Sequence, residues 1–439
     1  MSAESNAEFN PSLDANDLVE QATTLLLYAP ILSDPVGQAW MHLLHQIASR
    51  VPTLDLLQAY SQCFAAIASS GYGWQTYLIT QILYADNPFT QAAQTHQVTQ
   101  GLKAAAAHDL KILQQIYQVG DRLGNQVQAV TGRTLISLQA LEDAAPDLSL
   151  AALLKDTADK PHHWPTLISD LVDHHHQHGV GQFARYRAFR WGQGRLSGIT
   201  TPDPITLKDL TGYDHPRQLL LRNTEALLAG HPALNVLLYG SRGSGKSSLV
   251  KALLNEYGAQ GLRLIEVPKA ELKDLPAIVE LLRQRPQKFI LFVDDLSFED
   301  DDDAFKALKV VLEGSVTARP ANVVVYATSN RRHLVREFQG ERPRPRDADE
   351  IHQWDTLQEK LSFSDRFGLT LTFEPADQAA YLDIVRHLAH RAELKIDPEA
   401  LERQALRWAT RHNGRSGRSA RQFVDALTAA QQRGDREVF

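Results

Sequence analysis

The run LLYGSRGSGKSSLV, Leu237 to Val250, carries the spacing G-x-x-x-x-G-K-S from Gly240 to Ser247, directly after an apolar stretch and ahead of helical periodicity. That spacing suits a nucleotide phosphate. Glycines let backbone N–H groups curl around an anion without Cβ clashes, and a helix start adds partial positive charge. Gly240, Ser241, Gly243, Ser244, Gly245, Lys246, Ser247 and Ser248 are therefore the candidate nucleotide-binding residues. Lys246 would reach the β- and γ-phosphates, and the Ser247 hydroxyl would ligate Mg²⁺. Asp294 and Asp295 close a second apolar run, KFILFVDD. Asp294 is the candidate Mg²⁺ partner and Asp295 the candidate base that orients an attacking water. Asn330 ends a third run, VVVYATSN, where it could hydrogen-bond the γ-phosphate or that water.

Such residues need strand ends and helix starts to position them. NVLLYG, LRLIEV, KFILFV, NVVVYATS and LTLTFE read as strands without polar alternation, and helical segments separate them. Five such strands predict a parallel sheet covered on both faces, an α/β P-loop nucleotide-binding core over residues 207–375. From about Pro375 the strands stop, and three amphipathic segments predict a helical lid over 376–439. Ahead of the core, residues 1–178 read as helix after helix, an all-α N-terminal domain. Leu18, Val19, Ala22, Leu25 and Leu26 repeat with helical spacing, as do Leu54, Leu57, Phe64 and Ile67. Between the two, Gly179 to Thr206 interleaves glycines, arginines and aromatics and is expected to be a linker, a strap with buried rings and solvated arginines.

The chain has 439 residues, 43% hydrophobic and 22% charged, with a net charge of −7, so no global field favours nucleic acid or an anionic membrane. Cys63 is its single cysteine, which excludes a disulfide framework and a cysteine-based zinc site. The opening MSAESNAEFNPSL lacks a basic-then-apolar pattern, and no window reaches the ~18 apolar residues of a membrane span. A cytoplasmic setting is expected. His162, His163, His174 and His178 supply nitrogen donors for a metal, but histidines before Gly179 also suit a helix C-terminus, and that reading is preferred.

From Leu207 to Arg433 the chain resembles the AAA+ ATPases, and most closely a little-characterised bacterial stand-alone subfamily. Gly240 to Ser247 matches Walker A, Asp294 and Asp295 Walker B, and Asn330 sensor 1. The resemblance further implies that Arg366, in LSFSDRFG, is an arginine finger acting on a neighbouring subunit's site. It implies that Arg421, in NGRSGRSARQF, is sensor 2, with Arg418 the alternative. A homo-oligomer follows, with a ring as one form. The chain departs from most of that family in ending Walker B with Asp-Asp rather than Asp-Glu. A carboxylate set back by about 1.5 Å predicts slow hydrolysis, since misplacement on that scale can cost ~10²-fold. The acidic run Glu299 to Asp303 is expected to cap the following helix, which Gly314 would close. IEVPKAELKDLPAIV lacks the aromatic of a polypeptide-threading pore loop. The expected activity is ATP hydrolysis that remodels a macromolecular partner held by the N-terminal domain. The alternatives are an ATP-gated assembly module and, less favoured, nucleic-acid remodelling.

Overall fold

A computed structural model describes residues 15–138, 149–296, 303–313, 320–330, 366–412 and 414–433. It divides into two compact units, Met1–Arg185 and Tyr186–Phe439.

The first unit is all α. Its helices are α1 (Ala15–Thr23), α2 (Pro35–Ala48), α3 (Thr53–Ser69), α4 (Trp74–Leu83), α5 (Pro88–Ala93), α6 (Gln100–Thr131), α7 (Ser149–Thr157), α8 (Ile168–His178) and α9 (Gly181–Arg185). Asp34 caps α2 ahead of Pro35, accepting from the Gly37 N–H at 2.7 Å. Trp40 and Trp74 stack at the centre of the core, rings 4.6 Å apart. Two expectations fail here. The helical spacing read as far as Leu26 stops at Thr23, because the buried Asp109 carboxylate of α6 takes the N–H groups of Leu26, Leu27 and Tyr28 at 2.7–3.1 Å. Leu54, expected on the buried face of α3, is 74% exposed at the helix start.

At the end of α8, His174 and His175 are buried and Gly179 closes the helix at φ 85°. His175 Nδ1 lies 3.3 Å from the Gly179 carbonyl oxygen. Among the described residues no group of His, Cys, Asp or Glu is placed to hold a metal. Burial, with repulsion from neighbouring histidines, pushes His174 down to about 3 and His175 down to about 4. Both stay neutral in the fold while the unfolded chain takes up protons below about pH 6.5. Stability is therefore full above that pH and falls by at most about 1.4 kcal/mol per pH unit for each histidine between pH 6.5 and 4. Thermal unfolding from pH 7.5 to 4.5 should show this slope, and His174→Leu should flatten it; an unchanged slope in that variant would assign the loss elsewhere.

The second unit is built on a seven-stranded mixed sheet, not the five parallel strands expected. Its strands are β1 (Ala188–Gly192), β2 (Arg195–Ile199), β3 (Val236–Gly240), β4 (Leu262–Glu266), β5 (Lys288–Val293), β6 (Val323–Ser329) and β7 (Leu369–Phe373), in the order β2-β1-β4-β5-β6-β3-β7. All pairs are parallel except β1 with β2. The five expected strands are present as β3 to β7. The two additional ones come from the segment read as a linker: Gln193 and Gly194, at φ 53° and 70°, make the two-residue turn of a hairpin, and β1 adds to the edge of β4. Phe189 and Trp191 turn into the core, while Arg190 stays in solvent and pairs with Glu266 at 2.9 Å.

The helices of this unit are α10 (Asp214–Leu228), α11 (Lys246–Tyr257), α12 (Leu275–Leu282) and α13 (Asp303–Glu313), followed by α14 (Gln378–Arg391), α15 (Pro398–Arg411) and α16 (Gly417–Gln432), which pack together around Tyr381, Trp408 and Phe423. The side chains of the acidic run Glu299 to Asp303, Gly314, residues 331–358 and the LSFSD segment lie outside the described residues.

Candidate functional site

β3, β5 and β6 are buried runs whose C-terminal ends open on one edge of the sheet. β6 lies between β3 and β5, so Asn330, just past β6, sits between the P-loop and the paired aspartates. Gly240 leaves β3 at φ 144°, a conformation closed to other residues, and a Cβ there would lie 1.9 Å from the Phe373 carbonyl oxygen. Gly243 and Gly245 follow at φ 75° and 89°, and Gly245 caps α11. This cradle exposes backbone N–H groups at a helix start, the arrangement phosphate requires.

The side chains form one connected network. Lys246 Nζ donates to the carbonyls of Gly240 (3.0 Å) and Ser241 (2.7 Å) and reaches Asn330 Oδ1 at 3.4 Å. Asn330 Nδ2 donates to Asp295 Oδ1 at 2.7 Å. Ser247 Oγ donates to Asp294 Oδ1 at 2.6 Å, and Thr328 Oγ1 donates to the same oxygen at 2.5 Å. Thr328 Oγ1 also accepts from the Asp295 N–H at 3.0 Å. Burial lowers the Lys246 pKa, and the charges of Asp294 and Asp295 oppose that shift. Ser247 Oγ and Asp294 together are a hard-oxygen donor pair that fits Mg²⁺.

Asp295 sits at φ 52°, in the left-handed region. Aspartate is among the few residues that tolerate this backbone. Its two anchors, Thr328 Oγ1 on its N–H and Asn330 on its carboxylate, hold it there.

These residues line a cleft of about 580 Å³. Ile205, Asp209 and Leu210, ahead of α10, line it together with Ile384 and Leu388 of α14 and Arg418 and Arg421 of α16. Burial raises the Asp209 pKa, but hydrogen bonds from Thr206 and the charges of Arg391 and Arg421 outweigh it and hold the carboxyl below its usual range. Arg391 pairs with Asp209 at 2.8 Å, and His387 lies 2.7 Å from the Lys208 carbonyl oxygen, so α14 is tied to the segment ahead of α10. The first turn of α16 rests on the P-loop, with the Arg418 N–H donating to Gly243 O at 3.2 Å.

Of the residues singled out from sequence, the cleft gathers Gly243 to Ser248, Asp294, Asp295, Asn330, Arg418 and Arg421. Gly240 and Ser241 join them as acceptors of Lys246. Arg366 is not among the lining residues. It precedes β7, whose Leu369 pairs with Val236 at the start of β3, so it lies toward the strand ends opposite the P-loop. Thr328 was missed. Its signal was the period-two rule, which puts residue 328 on the same side of β6 as Asn330.

A parallel core ordered β4-β5-β6-β3-β7, a P-loop between β3 and α11 and the helices α14 and α16 lining the cleft give the fold of an AAA+ P-loop protein. A family described as "Protein of unknown function (DUF815)" matches residues 184–431, and the chain belongs to that family. No curated protein matches the chain. Among solved structures it is similar to the RuvB Holliday junction branch migration motor of Thermotoga maritima, at 16% identity and a TM-score of 0.37, over 54% of this chain and 68% of that one. A point variant of the same protein gives 16% identity and 0.39 over the same shares. Among the described residues no helix is long and apolar enough to cross a membrane.

Proposed function

We propose that this protein binds ATP with Mg²⁺ in the cleft and hydrolyses it slowly to remodel a macromolecular partner. The observation that carries the reading is the unbroken chain of hydrogen bonds from Lys246 through Asn330 to Asp295, beside the Ser247–Asp294–Thr328 cluster. A bound Mg²⁺ would neutralise charge on the phosphate oxygens. Ser247 and Asp294 are the residues to hold it. Lys246 turns its ammonium to the terminal phosphates, and Gly243 and Gly245 present backbone N–H groups. Ile205, Leu210, Ile384 and Leu388 give an apolar slot for the base. Asp295, aligned by Asn330, accepts a proton from the attacking water, and Arg421 senses the γ-phosphate from the lid.

Arg366 acts in trans, which makes the working form a homo-oligomer. Its place at the far end of the strands from its own P-loop supports this role. The helical unit ahead of residue 179 binds the protein partner. A second reading, an ATP-gated assembly module with negligible turnover, draws on one feature: the Asp295 carboxylate is engaged by Asn330. Nucleic-acid remodelling through the arginine–aromatic segment is disfavoured, because Phe189 and Trp191 are buried and offer no stacking face.

Phosphate release with saturating MgATP tests the reading. Wild type should turn over, Arg366→Ala should bind ATP normally with turnover reduced about 10³-fold, and mixing Arg366→Ala with Asp295→Asn subunits should restore part of the rate. No turnover by wild type would leave only the gated module. No recovery on mixing would remove Arg366 from a neighbour's site.

A further inference from the structure

Arg415, Arg418 and Arg421 recur every three residues through the α15–α16 turn and the first turn of α16. Arg418 and Arg421 line the nucleotide cleft, and Arg415 does not. Behind the P-loop, a second cavity of about 590 Å³ opens between Ser241–Gly243, the Pro375–Ala376 exit of β7 and the start of α16. Among the described residues its charged and titratable lining is Arg242, Arg415, Arg418 and His412, with no carboxylate. Arg242, Arg415 and Arg418 are exposed and make no ion pair among the described residues. Three neighbouring guanidinium groups repel one another. In a chain with 52 acidic residues against 45 basic ones, their cluster is left without the carboxylate that would offset this.

The surroundings favour an anion further. Ser416 caps α16, a helix of 16 residues, so the positive end of its macrodipole opens at the cavity. The Gly243 carbonyl is already taken by the Arg418 N–H at 3.2 Å. Arg242 and Arg418 line both this cavity and the nucleotide cleft, whereas Arg415 lines this one alone.

We infer that Arg242, Arg415 and Arg418 hold a second phosphoryl anion, in a site separate from the nucleotide cleft and sharing a wall with it. Guanidinium forks match phosphate oxygens in pairs, and three of them suit a dianionic group better than a lone carboxylate. The shared wall gives the site a consequence: an anion that draws Arg418 toward itself withdraws a positive charge from the nucleotide cleft. Arg421, which lines only the cleft, is then the lid arginine of the nucleotide. The inference rests on the nucleotide reading for the meaning of that coupling, but not for the existence of the site.

The test is calorimetric titration of the full chain with pyrophosphate after the cleft has been saturated with MgADP. The MgADP titration itself reports on the nucleotide reading. Wild type should show a pyrophosphate event beyond MgADP saturation. Arg415→Ala should weaken it about tenfold, Arg415→Lys should keep it within about threefold, and both should bind MgADP as wild type does. If MgADP fails to bind, one Arg415-sensitive pyrophosphate event still establishes the second site on its own. Competition with a short single-stranded oligonucleotide separates the sources: displacement of pyrophosphate assigns the site to a nucleic-acid backbone, and no displacement assigns it to a free phosphate. The absence of a second event overturns the inference, as does one indifferent to Arg415, or a change of oligomeric state in Arg415→Ala without any pyrophosphate binding.

Discussion

Lys246→Ala is expected to lose about a hundredfold in affinity for MgATP and all measurable turnover, with the fold intact. Lys246 is 6% exposed, yet its ammonium sits among polar partners only: two P-loop carbonyls, Ser244 Oγ and Asn330. Removing it takes away the cation anchored on the Gly240 and Ser241 carbonyls at the base of the loop, a role the exposed Arg242 does not fill. A charge-assisted hydrogen bond in a partly desolvated site is worth roughly 1.5–3 kcal/mol, which sets the hundredfold scale. Stability should move little, because Gly240 and Ser241 keep water as an alternative partner and no apolar packing is lost. Fluorescent-nucleotide binding measures the affinity, and thermal unfolding checks the fold. An affinity within twofold of wild type would mean that the P-loop of this chain does not hold phosphate.

The features that carried most of the reading were those in which one residue type has one physical use. Gly240, Gly243 and Gly245 all take positive φ, and the fixed spacing of the P-loop reports that directly. The apolar runs ending in Asp294 and Asn330 were legible because a strand buried on both faces needs no polar alternation. Thr328 was hidden inside such a run: a hydroxyl among valines counts as strand-forming, and its two hydrogen bonds exist only after β5 and β6 align. The β1–β2 hairpin failed for the opposite reason. Its alternation of arginine with aromatic residues and its Gln-Gly turn are a period-two signal, but glycines at 192, 194 and 198 read as linker. Gly198 in fact makes room for the Tyr186 ring, since a Cβ there would come within 2.2 Å of it. Likewise, no local pattern marks Asp109 as the acceptor that ends α1, because the contact spans more than eighty residues.

Asp295 carries the second large expected effect, and two substitutions separate what its charge does from what its length does. Asp295→Asn should keep MgATP affinity within about threefold and lower turnover by about 10²–10³-fold, because the amide cannot accept the proton of an attacking water. Asp295→Glu extends the carboxylate by one methylene, about 1.5 Å, and a gain up to ~10²-fold is available if reach is what limits the wild-type rate. The backbone opposes that change. At φ 52° aspartate is tolerated, whereas a longer side chain without its local hydrogen bonding costs about 1 kcal/mol in this region. That cost falls on folding, since Thr328 Oγ1 and the Leu296 N–H to Thr328 O bond at 2.7 Å hold the turn in place. Asp295→Glu should therefore turn over faster while unfolding at a lower temperature. Single-turnover phosphate release and thermal unfolding of the same variant read the two effects separately. If Asp295→Asn is inactive and Asp295→Glu is no faster than wild type, the carboxylate acts as base but its reach does not set the rate. The engagement of Asp295 by Asn330 at 2.7 Å then becomes the step that holds hydrolysis back.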